Sequence, residues 1–108
     1  MAEDQDLRVL REAAVKGDVL WHHHALERIL ERDISRAEVL VAIAQGEVVE
    51  RYAESRPFPS YLIMRIKQQP LHVVAAVDSA SMQCHIVTVY RPDAERFEAD
   101  FKTRRRNP

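Results

Sequence analysis

A single cysteine, Cys84, and only two glycines, Gly17 and Gly46, stand in a chain of 108 residues. One thiol closes no internal disulfide and builds no multi-cysteine metal centre; it is expected to be buried and inert. An excess charge of one sign is also missing: 16 Lys and Arg face 17 Asp and Glu, a net charge of −1. Without a global basic field, any nucleic-acid site has to be a local patch. No apolar run approaches the ~18 residues of a membrane span. The start, Met1-Ala2-Glu3-Asp4, is acidic and lacks the apolar segment of a signal peptide, so a cytoplasmic location is expected by default. Aromatic residues for base stacking are scarce, and Trp21, the only tryptophan, is expected in the core. Internal repeats, low-complexity runs and Gly/Ser linkers are absent. The length suits one domain with one hydrophobic core.

What is present divides by period. Residues 5–16 carry Leu7, Leu10, Ala14 and Val15 at helical spacing, and Gly17-Asp18 ends that helix. A second helix is expected from about His23 to Arg32, with Leu26, Ile29 and Leu30 as its apolar stripe. Ser35-Arg36-Ala37-Glu38 is a capping-box pattern that starts a third helix, which stops at Gly46. Residues 47–53, 60–67, 71–77 and 85–90 are rich in Val, Ile, Leu and Tyr and read as strands. Their short connections imply antiparallel hairpins. Arg56-Pro57-Phe58-Pro59 is a loop or an edge, because proline cannot donate to a ladder. Asp93 to Arg105 is expected to form a final helical turn or two, packed by Phe97 and Phe101. Helices followed by strands give an α+β fold, with N-terminal helices packed on a four-stranded antiparallel sheet and a short C-terminal helix.

Chemistry-bearing side chains concentrate on the second helix. His24, Arg28 and Arg32 recur at i, i+4 and i+8 and share one face. An imidazole that moves protons, beside guanidiniums that hold a phosphate, suits phosphodiester cleavage without metal. Glu27 and Glu31 on the same helix make a solvated, salt-bridged face the competing reading. The run His22-His23-His24 points in three directions and does not match zinc-ligand spacing. Alternation places His72 with Val74 and Ala76, His85 with Val87 and Val89, and Thr88 and Tyr90 with Ile86. Taken singly, each strand histidine reads as a hydrogen-bonded, partly buried side chain. Thr88 and Tyr90 offer hydroxyls for packing or for orienting a phosphate. Lys102, Arg104, Arg105 and Arg106 form the one basic patch, a solvated tail or an RNA backbone contact.

Several segments in order carry a resemblance. They are His24-Ala25-Leu26-Glu27-Arg28, Arg32-Asp33-Ile34-Ser35, Gly46-Glu47-Val48-Val49-Glu50-Arg51-Tyr52, Pro57-Phe58-Pro59-Ser60, Pro70-Leu71-His72-Val73-Val74 and Thr88-Val89-Tyr90-Arg91-Pro92-Asp93. Across residues 22–105 the chain resembles a bacterial family known as a domain of unknown function, numbered four-two-five-eight; the first helix, about residues 5–16, is extra to it. The resemblance implies a layout like the RelE-like toxins and neighbours that are small antitoxin-like or zinc-finger proteins. It also implies a shared cleft faced by His24, Arg28, Arg32, His72, Thr88 and Tyr90.

Two functions follow as expectations. In the first, a toxin-type endoribonuclease needs neither metal nor cofactor. Arg28 and Arg32 hold the phosphate, His24 or His72 acts as base or acid, Tyr90 assists, and Thr88, Arg104 and Arg105 contact substrate. Attack by the 2′-hydroxyl then leaves 2′,3′-cyclic phosphates. In the second, the same scaffold is a non-catalytic module that docks a partner protein.

Overall fold

A computed structural model describes residues 4–67, 69–92, 100 and 102–104. The first helix, α1 (Gln5–Lys16), is capped by Asp4, whose carboxylate accepts the amides of Asp6 and Leu7 at 3.1 and 3.3 Å. It closes at Gly17, whose φ of 73° is the left-handed turn that glycine adopts without steric cost. A three-residue strand, β1 (Val19–Trp21), leads into α2 (His23–Glu31). Asp33 then takes a positive φ of 54°, and α3 (Arg36–Gln45) begins.

The Ser35 hydroxyl accepts the Glu38 amide at 3.0 Å, so the expected cap forms in one direction only. The Glu38 carboxylate instead receives two bonds from the Arg91 guanidinium, at 2.9 and 3.3 Å, tying the start of α3 to the end of the last strand. Gly46 follows α3 for a steric reason. A Cβ there would collide with the Ala42 carbonyl oxygen and lie 2.7 Å from both Ile63 Cγ2 and the Met64 carbonyl oxygen.

Four strands complete the chain in a meander: β2 (Glu47–Tyr52), β3 (Ser60–Ile66), β4 (Pro70–Asp78) and β5 (Gln83–Tyr90). They pair antiparallel as the short turns require. The expected four-stranded antiparallel sheet needs one correction, because β1 adds to β5 in parallel. The sheet is five-stranded and mixed, in the order β1-β5-β4-β3-β2. Three residues, Val-Leu-Trp, are too few to show a period, and a parallel pairing leaves no hairpin signal.

The helices cover one face of this sheet. Leu71, Val73, Ala75 and Val77 of β4 meet Leu10 of α1, Ala25 and Ile29 of α2, and Val39 and Ile43 of α3 in one core. Each fully buried Leu or Ile contributes ~1.5–3 kcal/mol. The N-terminal helix is integral to this core: Leu10 is fully buried, and the Asp4 carboxylate accepts the Tyr61 hydroxyl at 2.8 Å and pairs with Arg51. Cys84 is buried as expected; its thiol donates to the Val9 carbonyl at 3.8 Å, and burial pushes its pKa up to about 11. Trp21 is half-buried against the core, with the Arg36 guanidinium 5.5 Å from its ring centroid.

Two β-bulges decide what the other face carries. In β5 the register shifts, so that Thr88 opposes Val74 while Ile86 opposes Ala75. Val87 is the extra residue. Thr88 and Tyr90 therefore leave the face of Ile86, contrary to strict alternation, and join His85 on the side away from the helices. Val89 turns inward in their place and is fully buried in the core. A similar shift between Val48 and Glu50 puts Glu47, Glu50 and Tyr52 on that same far side, opposite Met64, Leu62 and Ser60.

Of the expected C-terminal helix, only Asp100 and residues 102–104 are described. There Asp100 makes a side-chain turn, accepting the amides of Lys102 and Thr103 at 2.9 Å each. Phe97, Phe101, Arg105 and Arg106 lie outside the described residues. No helix among the described residues is long and apolar enough to cross a membrane.

Candidate functional site

Sheet register arranges the far face in rows. One row runs Tyr52, Ser60, Ala76, His85 and Leu20, from β2 across to β1. The next holds Glu50, Leu62, Val74 and Thr88; the third holds Glu47, Met64, His72 and Tyr90. Side chains in one row are neighbours, whereas His72 and Ala76 are separated by roughly 13 Å along β4 at ~3.3 Å per residue.

The first row floors a pocket of about 500 Å³. Its lining is apolar at Val74, Ala76 and Val87 and also includes Tyr52, Pro57 and Phe58. In the same lining His22 and His85 meet, His22 Nε2 lying 3.1 Å from His85 Nδ1 in a hydrogen bond. The long-range pairing of β1 with β5 makes this contact, since the amide of His22 donates to the Ile86 carbonyl at 3.0 Å and so extends the strand by one residue. Phe58 stacks on the His85 ring at a centroid distance of 5.2 Å and an interplanar angle of 22°. The His85 ring is thereby held from two sides. Its pKa lies below the ordinary 6.5, chiefly because burial disfavours the cation, and secondarily because His22 stands beside it; Asp78 opposes the shift. A neutral imidazole with an oriented ring is a proton acceptor poised for general-base work.

Beside the pocket, the Tyr52 hydroxyl donates to Glu50, and the Arg104 guanidinium clasps the same carboxylate at 2.9 and 3.2 Å. That clasp is the main reason the Glu50 pKa is lowered. Burial, then the bond to Glu50, raises that of Tyr52. Lys102 holds Glu47 at 2.9 Å in parallel fashion. Both described cations of the basic patch thus engage carboxylates of β2, and Arg104 is committed to Glu50 rather than presented as an open phosphate contact.

The residues singled out in the sequence fall into three places. His72 and Tyr90 come together, with His72 Nδ1 3.0 Å from the Tyr90 hydroxyl, and His72 is fully buried. Thr88 lies on the same face, one row nearer the pocket. His24, Arg28 and Arg32 lie instead on the outward side of α2, whose Ala25 and Ile29 pack into the core beneath the opposite sheet face. The His24 side chain is 83 % exposed and 3.9 Å from Glu27, and Arg28 bonds Glu31 at 3.4 Å. The sheet separates the core side, where α2 packs, from the face that holds His72, so the expected cleft shared by all six residues divides.

The three consecutive histidines diverge as their spacing requires: His22 turns to His85, His23 pairs with Glu27 at 2.6 Å, and His24 faces solvent. Periodicity leaves His22, Tyr52, Arg56, Phe58, Ser60 and His85 out of the candidate site. A local signal existed for Phe58, an aromatic residue between two prolines in a loop that cannot join a ladder. For His22 the signal was its place directly after an apolar triplet.

A family profile described as "Domain of unknown function (DUF4258)" matches residues 21–91, well over half of the chain. No curated protein and no solved structure matches it. The matched span opens at Trp21, immediately before His22, and closes at Arg91, just after β5, so it contains every residue of the pocket and leaves out α1. The chain belongs to this family of domains of unknown function.

Proposed function

We propose that this protein is a metal-independent endoribonuclease of toxin–antitoxin type on a RelE-like scaffold, and that its chemistry is carried by His22 and His85. One observation supports this reading above the others: two imidazoles in direct hydrogen bond at the lining of a pocket, one of them braced by an aromatic ring. In the tautomer that suits catalysis, His85 Nδ1–H donates to His22 Nε2, which leaves His85 Nε2 as an acceptor. The 2′-hydroxyl gives its proton to that nitrogen as its oxygen bonds to phosphorus. The bond from phosphorus to the 5′-oxygen breaks, and the imidazole pair returns one proton to the departing oxygen. The pair ends with the charge it began with, and the products are a 2′,3′-cyclic phosphate and a 5′-hydroxyl. Both proton transfers are covered by side chains, so the reaction calls for no metal.

Arg56 at the pocket lining offers a guanidinium for the phosphate. Arg28 and Arg32, on the outward side of α2 and apart from the pocket, are in this reading contacts for more distant RNA backbone. His72 and Tyr90 act in this reading as a buried support for the face on which the pocket lies. A small antitoxin-like protein that covers the pocket is the partner expected of such a toxin.

Induced expression in a bacterial host, with growth and bulk RNA integrity followed together, tests the reading. Wild type should arrest growth and degrade RNA, and His85→Ala at equal protein level should do neither. Normal growth and intact RNA with soluble, folded wild-type protein would overturn it. A second reading, a non-catalytic docking module, is favoured by the carboxylates of Glu27 and Glu31, which neutralise part of the α2 row within the helix. On that reading His85→Ala leaves any growth effect of the wild type unchanged.

A further inference from the structure

We infer that the pocket takes one unstacked nucleobase of single-stranded RNA and sets the phosphate on its 3′ side against the His22–His85 pair. This rests on the ribonuclease reading above and adds the form of its substrate. The cavity, about 500 Å³, is on the scale of small-ligand pockets, ~300–1,000 Å³. Val74, Ala76 and Val87 make part of its lining apolar, and the small side chain of Ala76 leaves the room that a planar ring needs. Tyr52 and Phe58 supply aromatic surface, the setting in which unpaired bases stack. The hydroxyl of Ser60, adjacent to Ala76 in the same row, gives a ring edge a hydrogen-bond partner.

The lining also carries polar groups able to meet a phosphate: His22 and His85, hydrogen-bonded to each other, and Arg56. A nucleotide carries both matching characters, with an apolar, stackable base at one end and an anionic phosphate at the other. Bases in an A-form duplex remain stacked inside it, and entry to such a pocket requires extrusion at the cost of unstacking and unpairing. A single strand avoids most of that cost. Selection for single strands therefore follows from taking a base out of its stack into the pocket and needs no base-specific contact.

The test uses a fluorescently labelled 2′-O-methyl oligoribonucleotide, which lacks the attacking hydroxyl, as a single strand and annealed to its complement, with the full-length protein at one fixed salt concentration. The single strand should bind at least ~10-fold more tightly than the duplex. Phe58→Ala removes an aromatic surface and Ala76→Leu fills the cavity from its floor; each should weaken single-strand binding about 5- to 100-fold. Circular dichroism establishes that both variants are folded. Equal binding of single strand and duplex, or wild-type affinity in both folded variants, would overturn the inference, as would failure of the folded wild type to bind the single strand. Cleavage of ordinary RNA in EDTA is followed in parallel and separates the two claims. RNA cleaved without any pocket dependence of binding leaves the nuclease reading standing and sinks the nucleobase pocket. Pocket-dependent binding without cleavage does the reverse.

Discussion

Tyr90→Phe distinguishes support from chemistry at the buried end of the far sheet face. The substitution deletes one oxygen and leaves the ring, so it opens no cavity that a methylene-sized loss would create. It does take a hydrogen bond, 3.0 Å long, from His72, a side chain with no solvent exposure. Depriving a buried polar group of a partner costs ~1–3 kcal/mol. For a domain of this size that corresponds to a fall in Tm of about 5–15 °C. His72→Leu, alone and in the Tyr90→Phe background, closes a double-mutant cycle that reads how much of the loss belongs to this one pair. Thermal unfolding by circular dichroism, paired with an RNA-cleavage rate on protein below its transition, reads both quantities. The reasoning is refuted if Tm stays within 2 °C, a shift of under ~0.5 kcal/mol, while cleavage falls a hundredfold. That result would make Tyr90 a participant in the reaction.

Further consequences follow from other parts of the molecule. Gly46→Ala should lower stability by ~1–3 kcal/mol or more, because its Cβ meets backbone that cannot give way; Gly17→Ala, in open space at φ 73°, should cost about 1 kcal/mol from backbone strain alone, and urea unfolding compares them. Arg104→Ala should leave the salt dependence of RNA binding unchanged, since Glu50 already holds that charge; a slope reduced by ~1 would instead make Arg104 a phosphate contact. His85 has a folded-state pKa below its unfolded value near 6.5, so the unfolded chain binds more protons between the two. The stability tied to neutral His85 is accordingly complete above pH 6.5 and is lost as pH falls through the lowered value. His85→Gln should flatten the rise of unfolding free energy across that window, and an unchanged slope in urea titrations would contradict the burial argument.

The helices and the four-stranded meander were legible because their signals are local. Ser35 caps α3, Gly17 ends α1, and runs such as Leu71 to Val77 alternate between core and far face without interruption. Signals that depend on distant residues were not legible. The three residues of β1 acquire their identity only by pairing with β5, more than sixty residues away in the chain. The bulge at Val87 reverses the faces of Thr88, Val89 and Tyr90, and no periodicity forecasts a single inserted residue. The candidate site suffered most from both effects. His22 and His85 each read as an isolated histidine until the parallel pairing sets their rings together. The even spacing of His24, Arg28 and Arg32 marked a real surface row, but spacing within a helix does not reveal which sheet face lies opposite.

Cleavage at the imidazole pair is tested most directly with purified protein, a single-stranded oligoribonucleotide and excess EDTA, with the products weighed by mass spectrometry. Wild type should yield fragments ending in a 2′,3′-cyclic phosphate, and folded His85→Ala should be slower by ~10²–10⁴, the usual worth of a general acid–base group. Cleavage that survives His85→Ala within a few-fold, that stops in EDTA, or that never occurs with folded wild-type protein would contradict it.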